Sequence, residues 1–440
     1  MLTYFPQRRR WAWWLAYVAI GLLTTACVDP ADPAFDATVN VVVVDGTITN
    51  LPEPQLIRLN RSRADPLTGR FGATPLTKAQ VEVMVDSARV VAAHETEDGT
   101  YQLPNDFRGQ IGHTYQLRFT LADGSRYVST QQTMESVAPI GRVTSRFNPT
   151  SLPQALQLAG GYRAGHDVLI DWQDPASQRN YYRWEWKLWE KQSWCRSCKQ
   201  GVYAVNAVVP RTYQSGLFYV SGLDTYEDCF APVNYRDPGQ PKFYDELYTY
   251  DYRCRTDCWE ILYSYALNVF ADQYSNGGQI SRRPVAQIPY YDSTACLVEV
   301  RQLSLTPAAY AYFNQFQNQT QNTGGIADTP PSAPVGNFRN VANPQEHVVG
   351  YFTASAVSAV RYWLDRKDAT GLPFGETDPA GPSKLPGAEL FFALNNRQPT
   401  PEPVYPYPYV RIYGGPPRPP TAVCVPSNTR TPFKPEGWRE

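Results

Sequence analysis

Tyr115-Gln116-Leu117-Arg118-Phe119 alternates apolar and polar side chains, Asp123-Gly124 follows, and Arg126-Tyr127-Val128-Ser129 takes the alternation up again. A period of two puts alternate side chains on opposite faces of a strand, and an Asp-Gly pair supplies a tight turn, so this stretch reads as a β-hairpin with one buried face. Similar signals surround it. Val39 to Val44 is a valine-rich run ended by Asp45-Gly46, Val81-Glu82-Val83-Met84-Val85 is a short apolar strand, and Asp98-Gly99-Thr100-Tyr101 starts another. About seven strands in about 100 residues predict a β-sandwich of immunoglobulin-like or transthyretin-like type over residues 39–138.

Pro139 to Gly165 has little periodicity, and a larger β-rich domain is expected over 166–440, opening with Val168-Leu169-Ile170-Asp171-Trp172. Tyr182-Arg183-Trp184-Glu185-Trp186-Lys187-Leu188 alternates as a strand with one buried face does. Thr306-Pro307 is an N-cap followed by a first-turn proline. Ala309, Phe313, Phe316 and Thr320 then fall on one stripe, so the spacing predicts a single amphipathic helix near 306–322, stopped at Gly324-Gly325. Val348 to Ala354 reads as a buried strand. The last 70 residues, rich in proline from Pro399 to Pro420, are expected to wrap the surface, with Pro401 to Tyr409 as a less simple reading, an extended recognition strip. The fold class is therefore mostly β.

Composition agrees. Aromatic residues make up 13% of the 440, charged residues 18%, and prolines number 39, which is the profile of short strands joined by rigid turns. At the start stand Arg8-Arg9-Arg10, the apolar stretch Trp11 to Leu23, and the site Leu23-Thr24-Thr25-Ala26-Cys27. A basic segment, an apolar run well below the roughly 20 residues of a spanning helix, and a small-residue cleavage site form a secretion signal. A cysteine at the cleavage point makes it a bacterial lipoprotein signal. Residues 1–26 are then removed and Cys27 is lipidated, leaving residues 27–38 as an acidic tether to the outer membrane. Without the three signal arginines, 37 basic side chains stand against 41 acidic ones, so no nucleic-acid partner is expected.

Apart from Cys27 there are seven cysteines, an odd number. Outside the cytoplasm disulfides are expected, and Cys195, Cys198, Cys229, Cys254, Cys258 and Cys296 are the candidates, with at least two bridges among them. Cys195-Arg196-Ser197-Cys198 and Cys254-Arg255-Thr256-Asp257-Cys258 also offer four thiolates to zinc, but oxidation competes there and the second gap is long, so no metal is expected. A thioredoxin-type role needs a helix N-terminus, and the flanks of Cys195 and Cys198 are β-like. His94, His113, His166 and His347 share no ligand spacing. With no nucleophile elbow, His-Glu-x-x-His pair or phosphate loop, neither an enzyme nor a cofactor is expected. Asp171, Asp174, Glu185 and Glu190 read as solvated acids beside strands. Trp172, Trp184, Trp186, Trp189 and Trp194 crowd one segment, and core packing is the first expectation for them. Alternation sets Trp184 and Trp186 against Trp189, which leaves these three as candidates for stacking on a small-molecule ligand of unknown identity.

Taken in order, Val43 to Asn50, Gly112-His113-Thr114-Tyr115-Gln116-Leu117, Asp123 to Tyr127, Asn180-Tyr181-Tyr182-Arg183-Trp184, the helix Thr306 to Thr320, Val335-Gly336-Asn337 and Val349 to Ser355 resemble lipoproteins of Bacteroidota grouped as domain of unknown function 4249 (DUF4249). The ending, Cys424, Lys434-Pro435 and Trp438, is similar too. The single tail cysteine and the cysteine-rich, tryptophan-rich middle third depart from that pattern. The resemblance implies an outer-membrane lipoprotein found alongside TonB-dependent transporters, and no reaction. The expected function is a non-enzymatic accessory or ligand-capture subunit of such a transporter, ahead of a structural or adhesive surface protein and of an enzyme of unrecognised type. The anchor is testable directly: Cys27→Ser should leave the membrane fraction or accumulate as uncleaved precursor. Unchanged fractionation and mature mass would refute lipidation.

Overall fold

The computed structural model describes residues 41–64, 71–153, 162–176, 178–192, 194–199, 203–204, 218–219, 249–254, 256–264, 266–320, 335–373 and 421–440. In chain order the elements are β1 (Val42–Thr49), β2 (Leu56–Ala64), β3 (Phe71–Pro75), β4 (Gln80–Val85), β5 (Arg89–Glu97), β6 (Thr100–Gln102), β7 (Thr114–Thr120), β8 (Arg126–Ser129) and β9 (Gln132–Thr133). Then come β10 (Arg142–Asn148), β11 (Gly165–Gln173), β12 (Tyr181–Lys191), β13 (Trp194–Lys199), β14 (Tyr203–Ala204), β15 (Phe218–Tyr219), β16 (Thr249–Cys254), β17 (Trp259–Tyr263), β18 (Asn268–Ala271), β19 (Gln279–Pro289) and β20 (Cys296–Ser304). Helix α1 (Pro307–Thr320), β21 (Phe338–Asn340), β22 (Val348–Ser355), β23 (Val357–Leu364), β24 (Thr421–Ala422) and β25 (Arg430–Thr431) complete it. The protein is mostly β, with one helix among the described residues.

The chain divides into two compact units, residues 1–41 with 61–74 and residues 42–60 with 75–440. In the first, Val41 donates to Ser62 Oγ at 3.2 Å and accepts from the Ser62 amide at 2.9 Å. In the second, β7 and β8 form the hairpin read from sequence. Phe119 lies opposite Tyr127 with the rings stacked at 4.8 Å. The turn carries Gly124 at φ 87°, and Asp123 Oδ1 accepts the Ser125 amide at 2.8 Å.

This hairpin belongs to a sheet in the order β21-β8-β7-β4-β5-β6-β2-β1-β22. Val42, Val44, Ile48, Ile57, Leu117, Phe119 and Phe352 share its core. Strand β1 runs through Asp45-Gly46 and does not end there. Gly46 faces Ile57 and Phe352, and a Cβ would come within 3.3 Å of Ile57 Cγ1, so a glycine here makes room for packing and does not turn the chain. The parallel partner of β1 is β22, in register from Val42↔Val348 to Thr49↔Ser355. Gly350, at φ 113°, allows the approach; a Cβ there would lie 1.9 Å from the Val44 carbonyl oxygen. The first sheet therefore contains strands from the region 166–440. A parallel neighbour needs a long crossover, and strand periodicity alone does not say which distant segment returns.

A second core lies between β10-β11-β19 and the sheet β23-β20-β12-β17-β25, whose β12 also pairs with β18. Ile170, Trp172 and Ile288 from the first meet Tyr182, Trp184, Val298 and Val300 from the second. Helix α1 starts where predicted: Thr306 Oγ1 accepts the Ala309 amide at 3.3 Å, which satisfies one of the four orphan donors of the first turn. Its buried face is Ala309 and Tyr312, with Phe313 and Phe316 half-buried.

The C-terminal segment is fastened to this sheet. Cys424 forms a disulfide with Cys258, 166 residues earlier, β25 pairs with β17, and Trp438 meets Trp259 and Trp363 edge-on at 5.9 and 5.1 Å. The proline-rich wrap expected over 399–420 lies outside the described residues. A crosslink closing so long a loop restricts the unfolded chain strongly, so Cys424→Ser should lower stability by about 2–4 kcal/mol. Chemical denaturation would measure this, and limited proteolysis should then trim the tail first. A tail that stays resistant would show that the β17–β25 pairing and the tryptophans hold it without the disulfide.

Candidate functional site

Strand β12 runs through the groups of charged and aromatic side chains described below, and both its faces are covered. Its even-numbered residues point into the second core; its odd-numbered residues point to the opposite side, Tyr181 and Arg183 onto α1 and Trp189 toward the C-terminal segment. On that opposite side Glu299 accepts from Arg301 Nε at 2.8 Å and Arg361 Nε at 2.9 Å, with Lys187 Nζ at 3.4 Å. Glu53, from the β1–β2 turn, clamps Arg301 through both carboxylate oxygens at 2.5 and 2.7 Å. Burial pushes the Glu299 carboxyl up, but Lys187, Arg301 and Arg361 outweigh it and hold it below the usual range. It is a charge network with every member partnered.

The tryptophans are used in packing. Trp184 is 1% exposed; its Nε1 donates to Gln302 Oε1 at 2.9 Å, and its ring meets Trp172 at 5.5 Å. Trp189 is 6% exposed, with Lys187 Nζ 5.0 Å and Arg361 Cζ 5.2 Å from its ring centre. Trp186 is half-buried against the same core as Trp184. Trp184 and Trp189, expected as candidates for stacking on a ligand, are instead buried, because a strand in the middle of a sheet covered on both faces turns its rings into core and cation–π partners.

The cysteines also sort differently from expectation. Cys258 pairs with Cys424, which was not among the candidates, and Cys254 is likewise disulfide-bonded. Cys296 is a free, fully buried thiol, so its inclusion among the disulfides is corrected. It faces the core from the first position of β20, beside a closed polar cluster. Cys27 and Cys229 lie outside the described residues, as do the side chains of Cys195 and Cys198 on β13.

That cluster contains Glu190, which sequence placed on a solvated face. It is 8% exposed; Arg366 Nη2 lies 3.2 Å from its Oε1, the Tyr291 hydroxyl donates to the same oxygen, and Arg366 Nη2 is 3.6 Å from Cys296 Sγ. Glu260 sits directly across from Glu190 in the β12–β17 register and has its own arginine, Arg430, at 2.6 Å. Two carboxylates side by side in a core repel unless each is neutralised, and two distant arginines do this. Burial pushes the Glu190 carboxyl up, Arg366 pulling against it, and pushes the Cys296 thiol to about 11. His166, fully buried, has its Nε2 3.1 Å from Asp368 Oδ1, and burial lowers its pKa.

A cleft of about 150 Å³ opens near the start of β12, lined by Glu135, Ser136, Gln178, Arg179, Asn180, Tyr181, Tyr182, Ser304, Leu305 and Pro307. It lies at the N-terminus of α1, and Tyr181 and Tyr182 line it together with mostly polar residues. Behind its wall are Asp174 and Asp272, each 1% exposed. Tyr182 donates its hydroxyl to Asp174 Oδ1 at 2.5 Å, and the Asn180 amide and Nδ2 donate to Asp272 Oδ2 at 2.7 and 3.1 Å. From sequence Asp174 reads as a solvated acid, and Asp272 carries no motif of its own. The available signal is position: Asp174 directly follows a strand ending at Gln173 and precedes Pro175, where a chain turns inward over a core. Among the described residues no three His, Cys, Asp or Glu side chains converge as a metal set.

The family described as Domain of unknown function (DUF4249) matches residues 28–361. The chain belongs to this family. No curated protein and no solved structure matches it. Within the DUF4249 match lie β12, the cleft, both buried aspartates, Glu190 and Glu260; beyond it lie their arginines Arg366 and Arg430, with Cys424 and Trp438. The cluster makes a direct prediction. With a pKa of about 11 and no exposure, Cys296 should resist thiol reagents in native protein at pH 8, where only about one thiol in a thousand ionises, and react fully on unfolding. Native-state labelling of Cys296 would contradict the closed cluster.

Proposed function

We propose that this DUF4249 protein is a non-enzymatic, lipid-anchored accessory subunit of the outer membrane that captures a ligand or partner for a TonB-dependent transporter. The observation that carries the reading is the signal ending at Cys27, followed by the acidic tether and the folded body. An acylated protein is confined to the membrane plane, where weak contacts with a larger partner suffice because effective concentration is high. The body supports a binding role over a chemical one. Glu190, Glu260, Glu299, Cys296 and His166 are committed to arginine, tyrosine and aspartate partners, whereas the cleft at the head of β12 is an open concavity that a small ligand would use. On this reading the N-terminal strands form the immunoglobulin-like or transthyretin-like module, and the second body carries the contact surface.

Tagged protein solubilised in mild detergent should retrieve a TonB-dependent β-barrel, and deleting the gene should reduce uptake of that transporter's substrate while the barrel stays in the membrane. Recovery of abundant unrelated outer-membrane proteins alone, with uptake unchanged, would instead favour a structural or adhesive surface role.

A further inference from the structure

Asp174 and Asp272 differ from every other buried acid described above. Glu190, Glu260 and Glu299 each face an arginine. Among the described residues neither aspartate has a Lys, Arg or His ion-pair partner, and their carboxyls lie within hydrogen-bonding reach of each other. Asp174 is held by the Tyr182 hydroxyl and, on Oδ2, by the Gly277 amide at 3.1 Å. Asp272 Oδ2 takes both donors of Asn180, while its Oδ1 is buried with no hydrogen-bond partner. Two buried carboxylates within reach of each other, without a counter-charge, repel when both are ionised; a proton on Asp174 would remove that repulsion and offer the orphaned Oδ1 a donor.

We propose that Asp174 and Asp272 share a proton and act as a pH-sensitive clasp between residues 174–182 and 272–278, fixing the inner wall of the cleft. The geometry gives the clasp its reach. Asp174 ties the end of β11 to Gly277, Asp272 ties the end of β18 to Asn180, and Asn180 and Tyr182 both line the cleft. The charged and titratable neighbours on the packed elements are Tyr182 on β12, Arg179 before it, Asp171 on β11, and Arg282 and Arg283 on β19. The Arg283 guanidinium lies over Trp184 and Phe270 at 5.4 and 5.1 Å, and Asp171 Oδ1 accepts the Arg282 amide at 2.6 Å. Burial above all, then Asp272, pushes the Asp174 carboxyl above its ordinary 3.8, against the pull of Tyr182 and Gly277. A raised folded value means the stabilisation is complete below 3.8 and is lost as pH rises through that raised value. The clasp is tight in acid and looser at higher pH, whatever the cleft binds.

Asp272→Asn tests this on the full-length protein. The amide keeps an oxygen for the Asn180 donors and points an N–H where the shared proton would be, so it imitates the protonated pair at every pH. The expected result is a Tm above wild type by about 2 °C or more at pH 8, with the difference vanishing near pH 4. Hydrogen exchange of wild type, corrected for intrinsic rates, should show 178–182 and 272–278 opening as pH rises. A variant less stable than wild type at pH 8, exchange in those segments that does not change with pH, or a calcium-dependent rise in wild-type Tm that the variant loses would each overturn the proposal, the last by showing a cation in place of the proton.

Discussion

A charge on a strand covered on both faces needs a partner, and β12 with its neighbours is built around that constraint. The strand brings Glu185, Lys187 and Glu190 into a sheet whose one face is the second core and whose other face lies under the C-terminal segment. Each ionised group taken from water there costs several kcal/mol unless it is paired and hydrogen-bonded. The partners come from far away in sequence: Glu53 from the first turn, Arg361 from β23, Arg366 just beyond it, Arg430 from the tail. Placing them requires the N-terminal turn and the tail to be docked, so pairing charge and assembling the fold are the same event.

The same requirement explains the closed tail. Arg430 neutralises Glu260, the Cys258–Cys424 bridge fixes the segment nearby, and Trp438 completes a cluster with Trp189, Trp259 and Trp363. These contacts lie past the end of the DUF4249 match at residue 361, yet they complete a cluster whose carboxylates lie inside it. The cleft and its two aspartates form the contrasting region. There the buried acids have hydroxyl and amide donors only, and a cleft opens beside them.

Sequence alone determined the elements whose rules are local. Alternation and Asp-Gly specified the β7–β8 hairpin, Thr306-Pro307 specified where α1 begins, and the motif order pointed to DUF4249. It did not decide which segments meet, because a period of two says which side chains share a face and nothing about what covers that face. Hence β22 lies beside β1, Cys258 pairs with Cys424 while Cys296 stays a thiol, the tryptophans of β12 fill cores, and Asp174 and Glu190 leave the solvent. Those outcomes depend on burial and on partners tens to hundreds of residues distant, and only the folded chain brings them together.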